Sequence, residues 1–272
     1  RWFYRRTFEA PLIDAGDRLE LVFEGIDTLA EVFVNGRSIG RADNMLIAHR
    51  FDVTDVVEAG ANEIVVRIDP VVVKARRRTP APAEFTNTFA ERLAVRKAAH
   101  MFGWDILPRI VSAGLWRPVY LRRVEPTRWR DVYVATLAAD AAGRTATLRV
   151  AWDFATPQVV LDGWRLRYTL QREGRQVHTQ AEPVFAHAGR SVLELTDVDL
   201  WWPRGWGEAA LYDLTLELLD ADDIVRAAHA ERIGLRTVSL ERTDSTTLDQ
   251  PGEFRFVVNG EPVFIKGTNH VP

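Results

Sequence analysis

Hydrophobic and polar positions alternate with a period of two along most of this chain. Leu19, Leu21 and Phe23 alternate with Glu20, Val22 and Glu24, and Glu31-Val32-Phe33-Val34 runs through Asn35-Gly36 into Arg37-Ser38-Ile39-Gly40. Period two is the side-chain repeat of a half-buried strand. An Asn-Gly pair between two such runs predicts a hairpin, because both central residues of a type I′ turn need positive φ. Further strands are predicted around Trp2-Phe3-Tyr4, Phe51-Asp52-Val53, Glu63 to Ile68 and Trp116 to Leu121. Short strands at this spacing predict a β-sandwich or jelly roll over residues 1–125.

After Glu125-Pro126 a second strand series begins. Its runs are Val132-Tyr133-Val134, Thr147 to Phe154, Arg165 to Gln171, Val192 to Leu195, Tyr212 to Leu218 and Ala230 to Val238. About seven strands in this span predict an immunoglobulin-like sandwich over residues 126–240. The last segment, 241–272, makes one more hairpin, with Asn259-Gly260 between Phe254-Arg255-Phe256-Val257-Val258 and Glu261 to Ile265. The fold class is therefore all-β.

Between residues 71 and 112 the alternation stops. A strand-free insertion of that length within a sandwich is either functional or disordered. Phe85, Phe89 and Leu93 fall on one helical face. The segment holds Lys74, Arg76, Arg77, Arg78, Arg92, Arg96, Lys97 and Arg109 against only Glu84, Glu91 and Asp105. Two readings stay open: a solvated basic face, or an arm that docks on something acidic and is loosely held on its own.

Composition narrows the function classes. The 272 residues carry a formal net charge of −3, which gives no reason to propose nucleic acid or an anionic membrane as partner. No apolar run reaches the ~18 residues of a membrane helix. With no cysteine there is no disulfide, thiolate nucleophile or Cys-based zinc site. The six histidines lack ligand-like spacing, and the phosphate-loop, nucleophile-elbow and zincin motifs are absent, so neither metal nor cofactor is expected. The chain opens at Arg1 inside a strand-like run, and both ends read as cut. The compartment is not legible, and a soluble, cytoplasmic protein is the default expectation.

The most distinctive string lies in the insertion: Arg96-Lys97-Ala98-Ala99-His100-Met101-Phe102-Gly103-Trp104-Asp105, then Pro108-Arg109 and Ala113-Gly114-Leu115-Trp116-Arg117-Pro118-Val119. An indole offers a flat apolar face to the C–H side of a pyranose, and an adjacent carboxylate can accept two hydroxyl hydrogen bonds. The competing reading makes Trp104 an ordinary buried aromatic and Asp105 a turn cap. Trp201, Trp202 and Trp206 suggest a stacking platform in the same way, but closing the second sandwich is the simpler role for them.

These residues resemble a segment of the β-mannosidases of glycoside hydrolase family 2, R-K-x-x-x-x-F-G-W-D-W-G-P-R followed by A-G-I-W-R-P-V. Leu200-Trp201-Trp202-Pro203 with Gly205, Gly207, Leu211 and Tyr212 resembles a second motif of that family. Ile233-Gly234-Leu235-Arg236-Thr237-Val238 resembles a third. Phe256-Val257-Val258-Asn259-Gly260 with Phe264-Ile265-Lys266-Gly267-Thr268-Asn269 resembles the opening of its catalytic barrel. The chain departs at Ile106-Leu107, where the family has Trp-Gly, and at His270, where it has an aromatic residue.

The resemblance implies a galactose-binding-like jelly roll, an immunoglobulin-like sandwich and the start of a TIM barrel. It implies a retaining glycosidase whose two catalytic glutamates lie beyond Pro272, so none is assigned here. Trp104, Asp105 and Asn269 would contact the sugar, and Arg96 and Arg109 are candidate supports. The implied partners are a β-linked mannoside or related sugar and the protein's own C-terminal barrel. A β-galactosidase or β-glucuronidase of the same family, or a stand-alone carbohydrate-binding module, stays open beside this reading.

Overall fold

The computed structural model describes residues 1–11, 16–77, 90–104 and 106–269. They form two compact units, Arg1–Pro126 and Thr127–Pro272.

The first unit contains β1 (Trp2–Ala10), β2 (Arg18–Phe23), β3 (Ile26–Asp27), β4 (Ala30–Val34), β5 (Arg37–Ala42), β6 (His49–Asp52) and β7 (Gly60–Ile68). A short helix, α1 (Val71–Ala75), and two 3₁₀ turns, Ala90–Leu93 and Ala99–Phe102, precede β8 (Gly114–Leu115) and β9 (Val119–Val124). The order β1-β7-β4-β5 makes one sheet and β6-β2-β9 the other, with β3 paired to β8 alongside. The strands form a jelly-roll sandwich whose inward side chains, among them Leu19, Leu21, Phe23, Val32, Val34, Val66 and Ile68, are almost fully buried. The alternation fails at Val22, which is buried as well, because the C-terminal half of β2 is covered on both faces. The predicted hairpin joins β4 to β5, with Asn35 at φ 49° and Gly36 at φ 77°.

The second unit pairs β10 (Arg128–Asp140), β11 (Thr145–Ala155) and β14 (Ala188–Thr196) in one sheet. The other holds β13 (Arg175–Pro183), β12 (Arg165–Arg172), β15 (Tyr212–Leu219) and β16 (Val225–Ile233), in that order. This three-on-four sandwich is immunoglobulin-like, closed over Leu148, Val150, Phe154, Leu166, Tyr168, Leu193 and Leu216. Tyr168 is one of two tyrosines buried in this core, with Tyr212, and its hydroxyl is bonded to Ser191 at 2.5 Å and to Glu182 at 3.0 Å. Burial, reinforced by the Glu182 carboxylate, holds that phenol above its ordinary pKa and so in its protonated, donating form.

β13 has no counterpart among the strands expected from sequence. It lies at a sheet edge, and His178, Gln180 and Glu182, opposite the buried Leu170, Tyr168 and Leu166, occupy positions that an inner strand would give to apolar residues. Polar inward positions are how edge strands resist pairing with another chain, and they erase the period-two signal. The predicted run from Ala230 to Val238 is two strands: β16 stops at Ile233, and β17 (Val238–Arg242) joins β18 (Phe254–Val258) and β19 (Glu261–Val263) in a separate small sheet. The second Asn-Gly turn forms as expected, with Asn259 at φ 51° and Gly260 at φ 86°.

Candidate functional site

The insertion leaves β7 through α1, whose Val71 and Ala75 are buried, and returns to the sandwich at β8. Phe85 and Phe89, on the predicted helical face, lie outside the described residues. Leu93 ends a 3₁₀ turn with 47% of its surface exposed, so it seats no buried helical stripe.

Three basic residues of the insertion, Arg76, Arg92 and Arg109, are engaged within it. Arg76 and Arg109 both pair with Glu91, at 3.0 and 3.3 Å. Burial pushes the Glu91 carboxyl up, but hydrogen bonds and charge from the two guanidiniums outweigh it and hold the group below its ordinary value. Lys97 is the clearest departure from a solvated basic face. Its side chain has no solvent exposure, and its ammonium lies against both carboxylate oxygens of Asp27 on β3. The same ammonium donates to the Ser112 carbonyl at 3.0 Å and to the Ser112 hydroxyl at 3.1 Å, while that hydroxyl donates to Asp27 at 2.5 Å. Burial pulls the Lys97 pKa below the ordinary lysine value, and Asp27 opposes that shift through its hydrogen bond and charge. The described stem of the insertion is therefore fastened to the jelly roll at Lys97.

Above this anchor Phe102 is fully buried, and Gly103 takes φ 102°, a backbone conformation side chains oppose. That turn delivers Trp104 with 51% of its surface exposed in this chain. Trp104 and Leu107 exchange backbone hydrogen bonds at 3.2 and 3.3 Å, closing a tight loop between them. The Arg92 guanidinium lies 5.5 Å from the centre of the Trp104 ring. Arg109 donates to the Phe102 carbonyl at 3.1 Å and stands 5.5 Å from the centre of the Phe102 ring. A cation over an aromatic face is worth about 0.5–1 kcal/mol when exposed, enough to bias a ring orientation.

Of the predicted site residues, Arg109 reaches Phe102, two positions before Trp104. Asp105 lies outside the described residues. Arg96 engages through its backbone, its carbonyl accepting from Met45 N at 2.9 Å, while its side chain is exposed. Asn269 is an exposed residue of the second unit, beyond β19. A cleft of about 680 Å³ is lined by Asp43, Lys74, Arg92 and Arg96 among others, and neither Trp104 nor Arg109 contributes to it. Arg92 both lines that cleft and lies over the Trp104 ring. Sequence reasoning missed Asp27, Ser112 and the buried role of Lys97. No local pattern marks an aspartate 70 residues from its lysine.

A half-exposed tryptophan on a loop braced by charged side chains can stack on a flat apolar ligand face. Residues 1–117 match the glycosyl hydrolase 2 galactose-binding domain-like model, and residues 127–236 match that of glycosyl hydrolases family 2. The chain belongs to glycosyl hydrolase family 2. It is similar to beta-mannosidase B of Thermothelomyces thermophilus, 33% identical over 279 residues, covering 100% of this chain and 32% of that protein. Beta-mannosidase B of Aspergillus clavatus is 32% identical over the same shares of each chain. Among solved structures, a beta-D-mannosidase from Dictyoglomus thermophilum is 31% identical with a TM-score of 0.80, covering 100% of this chain and 33% of that one. A Bifidobacterium dentium beta-glucuronidase follows at 25% identity and a TM-score of 0.68, covering 97% of this chain and 42% of that one. The chain thus spans about a third of the length of the beta-mannosidases it matches.

Proposed function

We propose that this chain is the front portion of a β-mannosidase-like glycoside hydrolase and supplies part of its sugar pocket. The observation that carries the reading is Trp104, half-exposed on a braced turn in a chain that matches beta-mannosidases along its whole length. In this reading Trp104 stacks on the pyranose at the cleavage site and Asp105 accepts its hydroxyl hydrogen bonds. Arg109 supports the Phe102-Gly103-Trp104 backbone, and Asn269 adds a polar contact from the beginning of the barrel. The two glutamates of a retaining mechanism, about 5–5.5 Å apart, belong to the barrel. The chain by itself then hydrolyses nothing.

The test is kinetic. In the full-length protein Asp105→Ala leaves sugar hydroxyls unpaired in a pocket that excludes water, a cost of about 1–3 kcal/mol or more. If those bonds tighten in the transition state the loss appears in kcat. The expected fall in kcat/KM on p-nitrophenyl β-mannoside is roughly ten- to several-hundred-fold. Wild-type kinetics for both Asp105→Ala and Trp104→Ala would overturn the proposal. Preferred turnover of a β-galactoside or β-glucuronide would assign the pocket to a sister specificity instead, a second reading favoured by the β-glucuronidase among the similar folds.

A further inference from the structure

We infer that Asp27, Lys97 and Ser112 form a charged clamp at the base of the insertion, and that this clamp positions Trp104. The kinetic part of this inference rests on the sugar-pocket reading above; the structural part does not.

Geometry is the warrant. Lys97 begins the arm that leads out to Trp104, and Ser112 ends the arm that comes back, 15 residues later. One ammonium bonds both ends of that excursion and the sandwich strand beneath it. It makes contacts to the Asp27 carboxylate, the Ser112 carbonyl and the Ser112 hydroxyl. Asp27 is itself held in register, because it lies opposite Gly114 in the β3–β8 ladder, two residues beyond Ser112. Thr28 adds a hydroxyl bond to the same carboxylate and is buried too. Outside the clamp, the arms are joined by the Trp104–Leu107 backbone pair, by Arg109 reaching the Phe102 carbonyl and Glu91, and by a weak contact from the Ser112 hydroxyl to Met101 Sδ.

The choice of an ion pair for this spot carries information. Desolvating two charges costs several kcal/mol each, and a well-packed apolar pair of similar volume is often equally stable or more so. What the charged pair adds is register. An apolar contact tolerates a slide of the arm along the strand, whereas a buried carboxylate is satisfied by an ammonium in one place only. A slide of one residue would swing the side chain at Gly103-Trp104 away from its present face. A misplacement of about 1 Å at a sugar-contacting group is enough to cost ~100-fold in rate.

Replacing the pair together, Asp27→Leu with Lys97→Met, in the full-length protein separates positioning from stability. The melting temperature is expected to stay within a few degrees of wild type. Amide hydrogen exchange over the 98–104 arm should accelerate about tenfold or more, while protection in β4 and β7 is unchanged, because opening becomes local. Turnover of p-nitrophenyl β-mannoside should fall about tenfold or more in kcat. Unchanged exchange in the arm overturns the clamp. Exchange that rises uniformly through the first unit also overturns it, by making the pair a stability element of the sandwich. Faster exchange in the arm with unchanged kcat upholds the clamp and sinks the sugar-pocket reading. If the double variant does not fold, Ser112→Ala removes two bonds of the clamp, the one its hydroxyl accepts from Lys97 and the one it donates to Asp27, and should move the same two readouts in the same direction by a few-fold. Its failure to move the exchange rate overturns the inference equally.

Discussion

Phe102→Ala gives the most direct measure of how firmly the insertion belongs to the first unit. The ring is fully buried, one residue before the positive-φ Gly103 and two before the exposed indole. Truncating a buried phenylalanine to alanine costs about 3–5 kcal/mol, the spread reflecting how far the site collapses around the void. Losing the Arg109 guanidinium from over the ring adds about 0.5–1 kcal/mol at most. For a unit of 126 residues, each kcal/mol moves the midpoint by roughly 4 °C, so a decrease of about 10–20 °C is expected. Urea denaturation followed by native-state amide exchange is the suitable assay, because the two units need not unfold together. Protection should drop at Val32 and Val66 in the first unit and hold at Leu166 and Leu216 in the second. Leu93→Ala, which truncates a half-exposed side chain in the same insertion, serves as the control and should stay within about 0.5 kcal/mol. A Phe102→Ala cost below about 1 kcal/mol, no larger than the control, would refute the reasoning. The insertion would then ride on the sandwich without being part of its cooperative core.

Asn259 bonds through its side chain to the Trp201 carbonyl and the Thr237 amide, both at 3.0 Å, from a left-handed turn position. Asn259→Ala should therefore cost about 2–4 kcal/mol, read as lost exchange protection in β17 and β18. Asp220, in the turn from β15 to β16, accepts from the Asp222 and Ile224 amides and from Arg226. Burial pushes its carboxyl up, but these bonds outweigh it and hold the pKa below the ordinary 3.8. Its contribution to stability is complete above that value and lost as the pH falls below it. Asp220→Asn should be less stable than wild type at neutral pH, with a shallower acid limb in a pH series of melting temperatures. The purified 272-residue chain should show no hydrolysis of p-nitrophenyl β-mannoside, and activity that co-purifies with it through every step would contradict the proposed division of labour.

The period-two pattern and the two Asn-Gly pairs determined a great deal without coordinates. They located most strands and both hairpin turns, because alternation and positive-φ turn chemistry are written in neighbouring residues. The same local signal was silent at β13, where an edge strand has polar side chains on its inward face. It also ran β16 and β17 together, since a change of sheet leaves no mark on hydropathy. In the insertion the sequence displayed a positive charge excess but could not say which charges meet water. Only the tertiary structure decided that Lys97 is buried, because its partner Asp27 is 70 residues away and becomes a neighbour only after β3 and β8 pair. Likewise the string Phe102-Gly103-Trp104 named an aromatic pair, while packing decided that one ring is core and the other is offered outward. Local residue order sets the backbone's preferences; which polar groups lose their water is decided by contacts between distant segments.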